Sequence, residues 1–248
     1  MWDSFVGLNV NILLYIYRFV GQNFGLAIIL FTILIRLIIY PLNAQQVKSS
    51  KALQELQQSK KWKEIQKKYK DDKEKFAQEQ MKLYQEAGVN PFGSCLPTII
   101  QLPIIFALYQ AIINALAVSP LQLLNLSHYL SDSADLIPIH NHFLWMDLSQ
   151  PERLTVFGIG IPVLAIIVMV TTYFQSKLMT PTPTGNDNDQ AAMMTKGMNM
   201  YMPVFMGWLA YSFSSGLALY FVVSNLATIL QYAAMGNIDW KNLLRKKA

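Results

Sequence analysis

Of the 248 residues, 53% are hydrophobic and 14% charged, with a formal net charge of +5, whereas about 25% of an ordinary soluble domain is charged. These proportions exclude a soluble globular domain and describe an integral membrane protein whose cations are gathered in a few segments. One cysteine, Cys95, excludes an internal disulfide and most thiolate metal sites.

Taken in chain order, apolar residues first recur at Leu8, Ile12, Tyr15 and Phe19, a helical rhythm broken by Gly21-Gln22-Asn23. With Arg18 inside the stretch, residues 1–22 read as an extracytoplasmic amphipathic helix lying in the interface. No basic residue precedes its apolar stretch, and no small-residue cleavage pattern is apparent, so no secretory signal is read there. The next stretch, Phe24 to Tyr40, is an apolar run of 17 residues interrupted by one arginine, enough for a membrane helix, and gives core span 1 (23–43), with Pro41 bending its end. It contains Arg36, and neither it nor any other apolar run holds an Asp or Glu. A central arginine costs an isolated span about 2.5–3.5 kcal/mol on insertion scales. Thr32, Tyr40 and Asn43 fall on the same helix side as Arg36, at spacings of four and seven. The guanidinium therefore faces a wet cavity, polar side chains, headgroups or a visiting ligand. The plain alternative is a snorkelling arginine.

Residues 44–92 change character, with eleven lysines and seven acids between 44 and 90. Leu53, Leu56, Ile65, Tyr69, Phe76, Leu83 and Tyr84 keep near-helical spacing, Asp71-Asp72 suits a turn and cap, and Gly88 before Asn90-Pro91 suits a stop. A polar, antiparallel helical hairpin standing out of the membrane is expected. Core span 2 (93–118) carries Pro97, Pro103, Gln101, Gln110 and Asn114. The loop 119–154 holds four acids and Arg153, and its Leu126, Phe143, Leu144 and Trp145 suit a short interfacial helix. Core span 3 (155–176) is followed by a polar linker (177–197). Spans 4 and 5 (198–235) form a hairpin turning at Ser214-Ser215-Gly216, and a basic tail (236–248) ends the chain. Tyr220, Ser224, Ala227 and Gln231 share one face of the last span. Five spans place the lysine hairpin, linker and tail on one side and the acidic loop on the other. The positive-inside rule makes the first side cytoplasmic and puts the amino terminus outside.

Catalysis is poorly supported. His128, His140 and His142 all lie in the 119–154 loop, so Ser214 and Ser215 lack a general base within the membrane. The pair His140 and His142 is weak as a metal site, and phosphate-loop and dinucleotide signatures are absent. No cofactor and no metal is expected. A transporter could line an anion path with Arg36, Thr32, Gln101, Gln110, Asn114, Tyr220 and Ser224, but ion-coupled carriers usually show membrane acids. A surface that binds other membrane chains accounts for more. It explains the lone cation in a polar groove, a Met-rich aromatic helix with Met193, Met194, Met198, Met200, Met202 and Met206, and a basic hairpin on the ribosome's side.

Several ordered motifs carry a resemblance. Thr32-Ile33-Leu34-Ile35-Arg36 with Tyr40-Pro41-Leu42 resembles the first core span of YidC-type membrane protein insertases, relatives of the Oxa and Alb proteins. Leu83-Tyr84, Gly88-Val89-Asn90-Pro91, Gly93-Ser94-Cys95-Leu96-Pro97 and Gln101-Leu102-Pro103-Ile104 follow in order. Phe106-Ala107-Leu108-Tyr109, Met202-Pro203-Val204, Ser215-Gly216-Leu217, Leu219-Tyr220 and Val223-Ser224-Asn225 complete the set over roughly residues 20–235. The resemblance implies an all-α fold of five transmembrane helices around a hydrophilic groove in a bacterial inner membrane. It implies an insertase and chaperone that needs no nucleotide hydrolysis. Arg36 matches the groove arginine and Thr32 the polar residue one turn before it; Gln101, Asn114, Tyr220 and Ser224 complete the expected groove. Phe106, Met202 and Phe205 are expected on the slide along which a client helix leaves. Implied partners are nascent membrane proteins with short extracytoplasmic segments, the ribosome through tail and hairpin, the Sec translocon and the lipid bilayer, with no direct nucleic-acid readout. The sequence departs from longer members in having no large folded domain before the first core span, and from many relatives in carrying Ser214 where they have proline.

Overall fold

The computed structural model describes residues 2–69, 72–88, 96–116, 139–156, 159–179 and 190–236. The chain is mostly helical: α1 (Trp2–Phe19), α2 (Phe24–Gln58), α3 (Lys60–Lys68), α4 (Lys73–Glu86), α5 (Leu96–Leu116), α6 (Val163–Met179), α7 (Gln190–Ser212) and α8 (Ser215–Ala234). Among the described residues two small antiparallel ribbons interrupt it, β1 (His142–Phe143) with β2 (Met146–Asp147), and β3 (Leu154–Val156) with β4 (Ile159–Ile161). Contacts divide the chain into one compact unit of Met1–Ile38, Leu102–Thr180 and Lys196–Ala248, and a second of Ile39–Gln101 and Pro181–Thr195.

In the first unit one apolar core joins Val10, Leu13 and Tyr17 of α1, Phe24, Ile28 and Phe31 of α2, Leu108 and Ile112 of α5, Val168 of α6 and Leu217 to Phe221 of α8. Tyr17 meets Phe24 edge to face at 5.9 Å, closing the α1–α2 corner. A helix is present at the amino terminus, as α1. It leaves Leu8, Tyr15 and Phe19 exposed and buries a second apolar stripe, Val6, Val10, Leu13 and Tyr17.

Residues 24–58 form a single helix that continues through Pro41. Proline deprives the helix of one backbone bond, and the Gln-, Lys- and Leu-rich sequence beyond it consists of strong helix formers. Span 1 and the first arm of the expected hairpin are therefore one element. Among the described residues, α2 and α8 are long and apolar enough to cross a membrane, and shorter apolar helices cover Gln101–Asn114 and Val163–Leu178.

The 139–156 segment corrects the expectation of an interfacial helix. Phe143, Leu144 and Trp145 sit in a tight β-ribbon, with His142 opposite Asp147 and Phe143 opposite Met146; Leu126 lies outside the described residues. Asp147 fixes the turn that follows, its Oδ1 accepting from Asn141 Nδ2, Ser149 N and Ser149 Oγ at 2.9, 2.9 and 2.6 Å. Span 3 also starts later than expected. Residues 154–156 pair with 159–161 as the second ribbon, and α6 begins after Pro162. The buried Glu152 caps it, Oε2 accepting from Leu164 N at 3.0 Å, a favourable place for a carboxylate against the helix dipole. The linker shortens from both ends, since α6 reaches Met179 and α7 starts at Gln190.

The second unit contains the expected hairpin pair α3 and α4. Ser59 caps α3 by accepting from Trp62 N at 3.2 Å, and Asp72 caps α4 by accepting from Lys75 N at 3.1 Å. That amide and the Lys75 ammonium hold the Asp72 carboxyl below its ordinary range. Trp62, Leu83 and Tyr84 are buried together, with Leu53, Leu56, Ile65 and Phe76 packed around them.

Candidate functional site

The site is built on the amino-terminal anchorage of α8. Ser215 N donates to Gln150 O at 2.8 Å, Gly216 N to Leu148 O at 3.1 Å, and Ser215 Oγ to the Asp147 carbonyl. The turn after β2 thus takes up amide donors that a helix start leaves unpaired. Gly216 makes this approach possible. A Cβ there would lie 3.1 Å from Leu148 O, 3.2 Å from Ile112 Cγ2 and 3.3 Å from Ile28 Cδ1, so three elements close on a position with no side chain. Gly216→Val is expected to destabilise the first unit by about 1–3 kcal/mol through overpacking, read as a lowered melting temperature in detergent.

Ser214 occupies the N-cap position of α8, but its side chain makes no capping bond, and its buried Oγ has no partner. The usual loss of about 1 kcal/mol for Ser→Ala at a cap should therefore not appear. Ser214→Ala is expected to hold or raise stability by up to about 1 kcal/mol, because an unsatisfied buried hydroxyl is removed. A thermal shift assay gives the sign.

Down α8 the polar residues turn toward α2. Arg36, half-buried, donates from Nη2 to Ser224 Oγ, and Gln231 Nε2 donates to the Arg36 backbone carbonyl at 2.9 Å. A helical side chain tilts toward its amino terminus while its carbonyl points the other way. Meeting Ser224 with the first and Gln231, seven residues on, with the second means that α2 and α8 run in the same sense here. Tyr220, buried one turn before Ser224, lies within electrostatic reach of the guanidinium. Among the described residues the guanidinium's hydrogen-bond partner is this one neutral hydroxyl, with no carboxylate. Its five donors leave most of its bonding capacity for something else.

Other expected residues fall as follows. Thr32 is buried four residues before Arg36 and donates its hydroxyl to Ile28 O at 2.6 Å within its own helix. Asn114 is half-buried on α5, with no hydrogen bond to Arg36 among the described residues. Gln101 belongs to the second unit. Phe106 projects from α5, and Phe205 projects from α7 with its ring stacked on Trp208 at 6.2 Å, while Met202 is half-buried. The sequence reading placed Gln231 on the Ser224 face but not in the site. Asn225, quoted above only within the Val223-Ser224-Asn225 motif, donates from Nδ2 to Thr171 Oγ1 at 3.1 Å and Thr172 Oγ1 at 2.9 Å. These bonds pin α8 to α6 and fix the rotation that aims Ser224 at Arg36. The signal available was a polar residue next to Ser224 and a Thr-Thr pair inside an apolar run.

Residues 15–241 match the model of the 60Kd inner membrane protein family. The chain belongs to this family. Curated relatives include the membrane protein insertase YidC of Oceanobacillus iheyensis, 37% identical over 216 residues, 85% of this chain and 73% of the relative. The membrane protein insertase MisCA of Bacillus subtilis is 37% identical over 233 residues, 93% of this chain and 77% of the relative. The YidC of Chlorobaculum tepidum is 34% identical over 222 residues, 86% of this chain but 32% of the longer relative. Among solved structures, one described as an active YidC insertase with the first transmembrane domain resolved superposes with a TM-score of 0.59 at 30% identity, covering 95% of this chain and 46% of that one. The family is one of inner membrane proteins and insertases, not of enzymes.

Proposed function

We propose that the chain is a membrane protein insertase and chaperone working through a groove around Arg36. The observation that carries this reading is a guanidinium set among apolar helices and met by a neutral hydroxyl, Ser224, instead of a carboxylate. Such a cation is available to a transient anionic ligand; the relatives are named membrane protein insertases, and in this reading the ligand is the acidic leader of a client segment. In this reading α2, α5, α6, α7 and α8 are the five spans, the amino terminus is outside, and the α3–α4 hairpin is cytoplasmic.

A client's short acidic leader enters the groove and is drawn to Arg36, with Ser224, Tyr220, Thr32 and Asn114 as its polar lining. The client's apolar helix leaves along Phe106, Met202 and Phe205 into lipid, and its transfer from water drives the step. A membrane potential positive outside adds about 2.3 kcal/mol per leader charge per 100 mV. Nucleotide hydrolysis has no place in the scheme. The clients are nascent chains, delivered by ribosomes or beside the Sec translocon.

The test is insertion of a single-span client with an acidic leader into liposomes holding the purified chain, scored by protease protection of the leader. Protection well above that of empty liposomes is expected. Protection equal to empty liposomes, with anion flux appearing instead, would overturn the insertase reading in favour of a transporter.

A further inference from the structure

The tip of the β1–β2 ribbon plays no part in the groove, yet it carries two unusual features. Leu144 has φ 54°, in the left-handed region, where a bulky L-residue is an outlier and Gly or Asn would sit freely. The same leucine is 74% exposed, and Trp145 beside it is 50% exposed. A strained backbone that presents an apolar side chain to the surroundings points to a use for that side chain.

What surrounds the tip indicates the occupant. Trp145 Nε1 donates to Glu152 Oε1 at 3.1 Å, so the indole's one polar atom is satisfied and its ring edge remains apolar. The other oxygen of Glu152 caps α6, which ties the tip rigidly to the start of an apolar helix. The next residue, Arg153, stacks over Tyr211 at 5.4 Å and donates to its hydroxyl at 3.3 Å. Tyr211 continues the outward face of α7 through Trp208 and Phe205. The result is a continuous ribbon running from an aliphatic tip through Trp, Arg and Tyr onto an apolar helix face. That is the composition of a membrane–water boundary, where ringed side chains sit at headgroup level and arginine reaches phosphates.

We propose that Leu144 and Trp145 form a lipid anchor, inserted at the headgroup–acyl boundary of the bilayer with Arg153 at the phosphates. The contact itself is independent of the groove; its assignment to the outer leaflet rests on the insertase topology proposed above. By holding the ribbon at a fixed height, the anchor would also fix the turn that receives the start of α8.

The experiment places an environment-sensitive NBD label at Leu144→Cys, and separately at the exposed hairpin residue Lys67→Cys, each with Cys95→Ser, in phosphatidylethanolamine–phosphatidylglycerol vesicles. At position 144, shallow doxyl lipids should quench at least twofold more strongly than deep ones, and aqueous iodide should quench weakly; at position 67 iodide should dominate. Iodide quenching at 144 equal to that at 67 would leave the tip in water and overturn the proposal. Protection from both quenchers would overturn it in favour of a protein cover, a second copy or another chain. An impermeant maleimide on intact cells reads the topology separately. Labelling at the exposed Gln150→Cys of the same segment but not at 67 supports the outer leaflet, and the reverse would overturn the topology while leaving the depth result intact.

Discussion

Arg36→Ala is expected to reduce insertion of acidic-leader clients by at least tenfold, while clients with neutral leaders lose much less. A hydrogen bond to a charged group contributes about 1.5–3 kcal/mol, which corresponds to roughly a tenfold to hundredfold change in leader occupancy. The protein should still fold, because the bonds lost are the one to Ser224 and the guanidinium's packing, whereas Gln231 holds the backbone carbonyl, which alanine retains. Arg36→Lys separates charge from geometry. Lysine keeps the cation but not the planar fork, so substantial recovery would identify Arg36 as a charge attractor. Loss as deep as with alanine would instead assign its effect to bidentate recognition. Protease protection with paired acidic and neutral leaders gives all six values. Equal insertion by wild type and Arg36→Ala on acidic leaders would return Arg36 to a purely structural role.

Arg36 was legible because its signal is energetic: a charge in an apolar run demands an explanation wherever the run folds. Ser224 and Tyr220 were legible as a face because helical periodicity groups residues four apart. The direct pairing of that face with Arg36, 188 residues away in sequence, is not contained in any pattern in the chain; polarity alone grouped Tyr220 and Ser224 with Arg36. The same physics explains what was missed. Strands of two or three residues are shorter than any periodicity window, so the ribbon at 142–147 and the strands at 154–156 and 159–161 read as an interfacial helix and the start of a span. In α1 both faces are apolar, so the rhythm showed a helix but could not show which stripe it buries. Asn225 and Gln231 act through where they reach, on α6 and on the Arg36 carbonyl, and a linear pattern does not contain reach.

The hairpin gives the second large expected effect, and it turns on a residue that the sequence reading passed over. Trp62 sits among Lys60, Lys61 and Lys63, so it reads as part of a charge run; in the structure it is the largest buried side chain of α3. Its ring packs on Phe76 at 6.0 Å and on Tyr84 at 5.8 Å, joining α3 to α4. Truncating a buried tryptophan costs about 3–5 kcal/mol, comparable to everything that so small a cluster can supply. Trp62→Ala is therefore expected to unfold α3 and α4 locally, seen as loss of helical signal and rapid proteolysis between residues 59 and 88. Trp62→Phe, which keeps an aromatic face, should lose less. Among the described residues every member of this cluster belongs to the second unit, so the melting of the apolar core should be unchanged. That separation makes the variant a test of function as well as of stability. If Trp62→Ala lowers client insertion while the core melts normally, a folded hairpin is part of the insertion step. If insertion is unchanged, the lysine-rich segment serves as a connection between spans and its fold is dispensable to the groove.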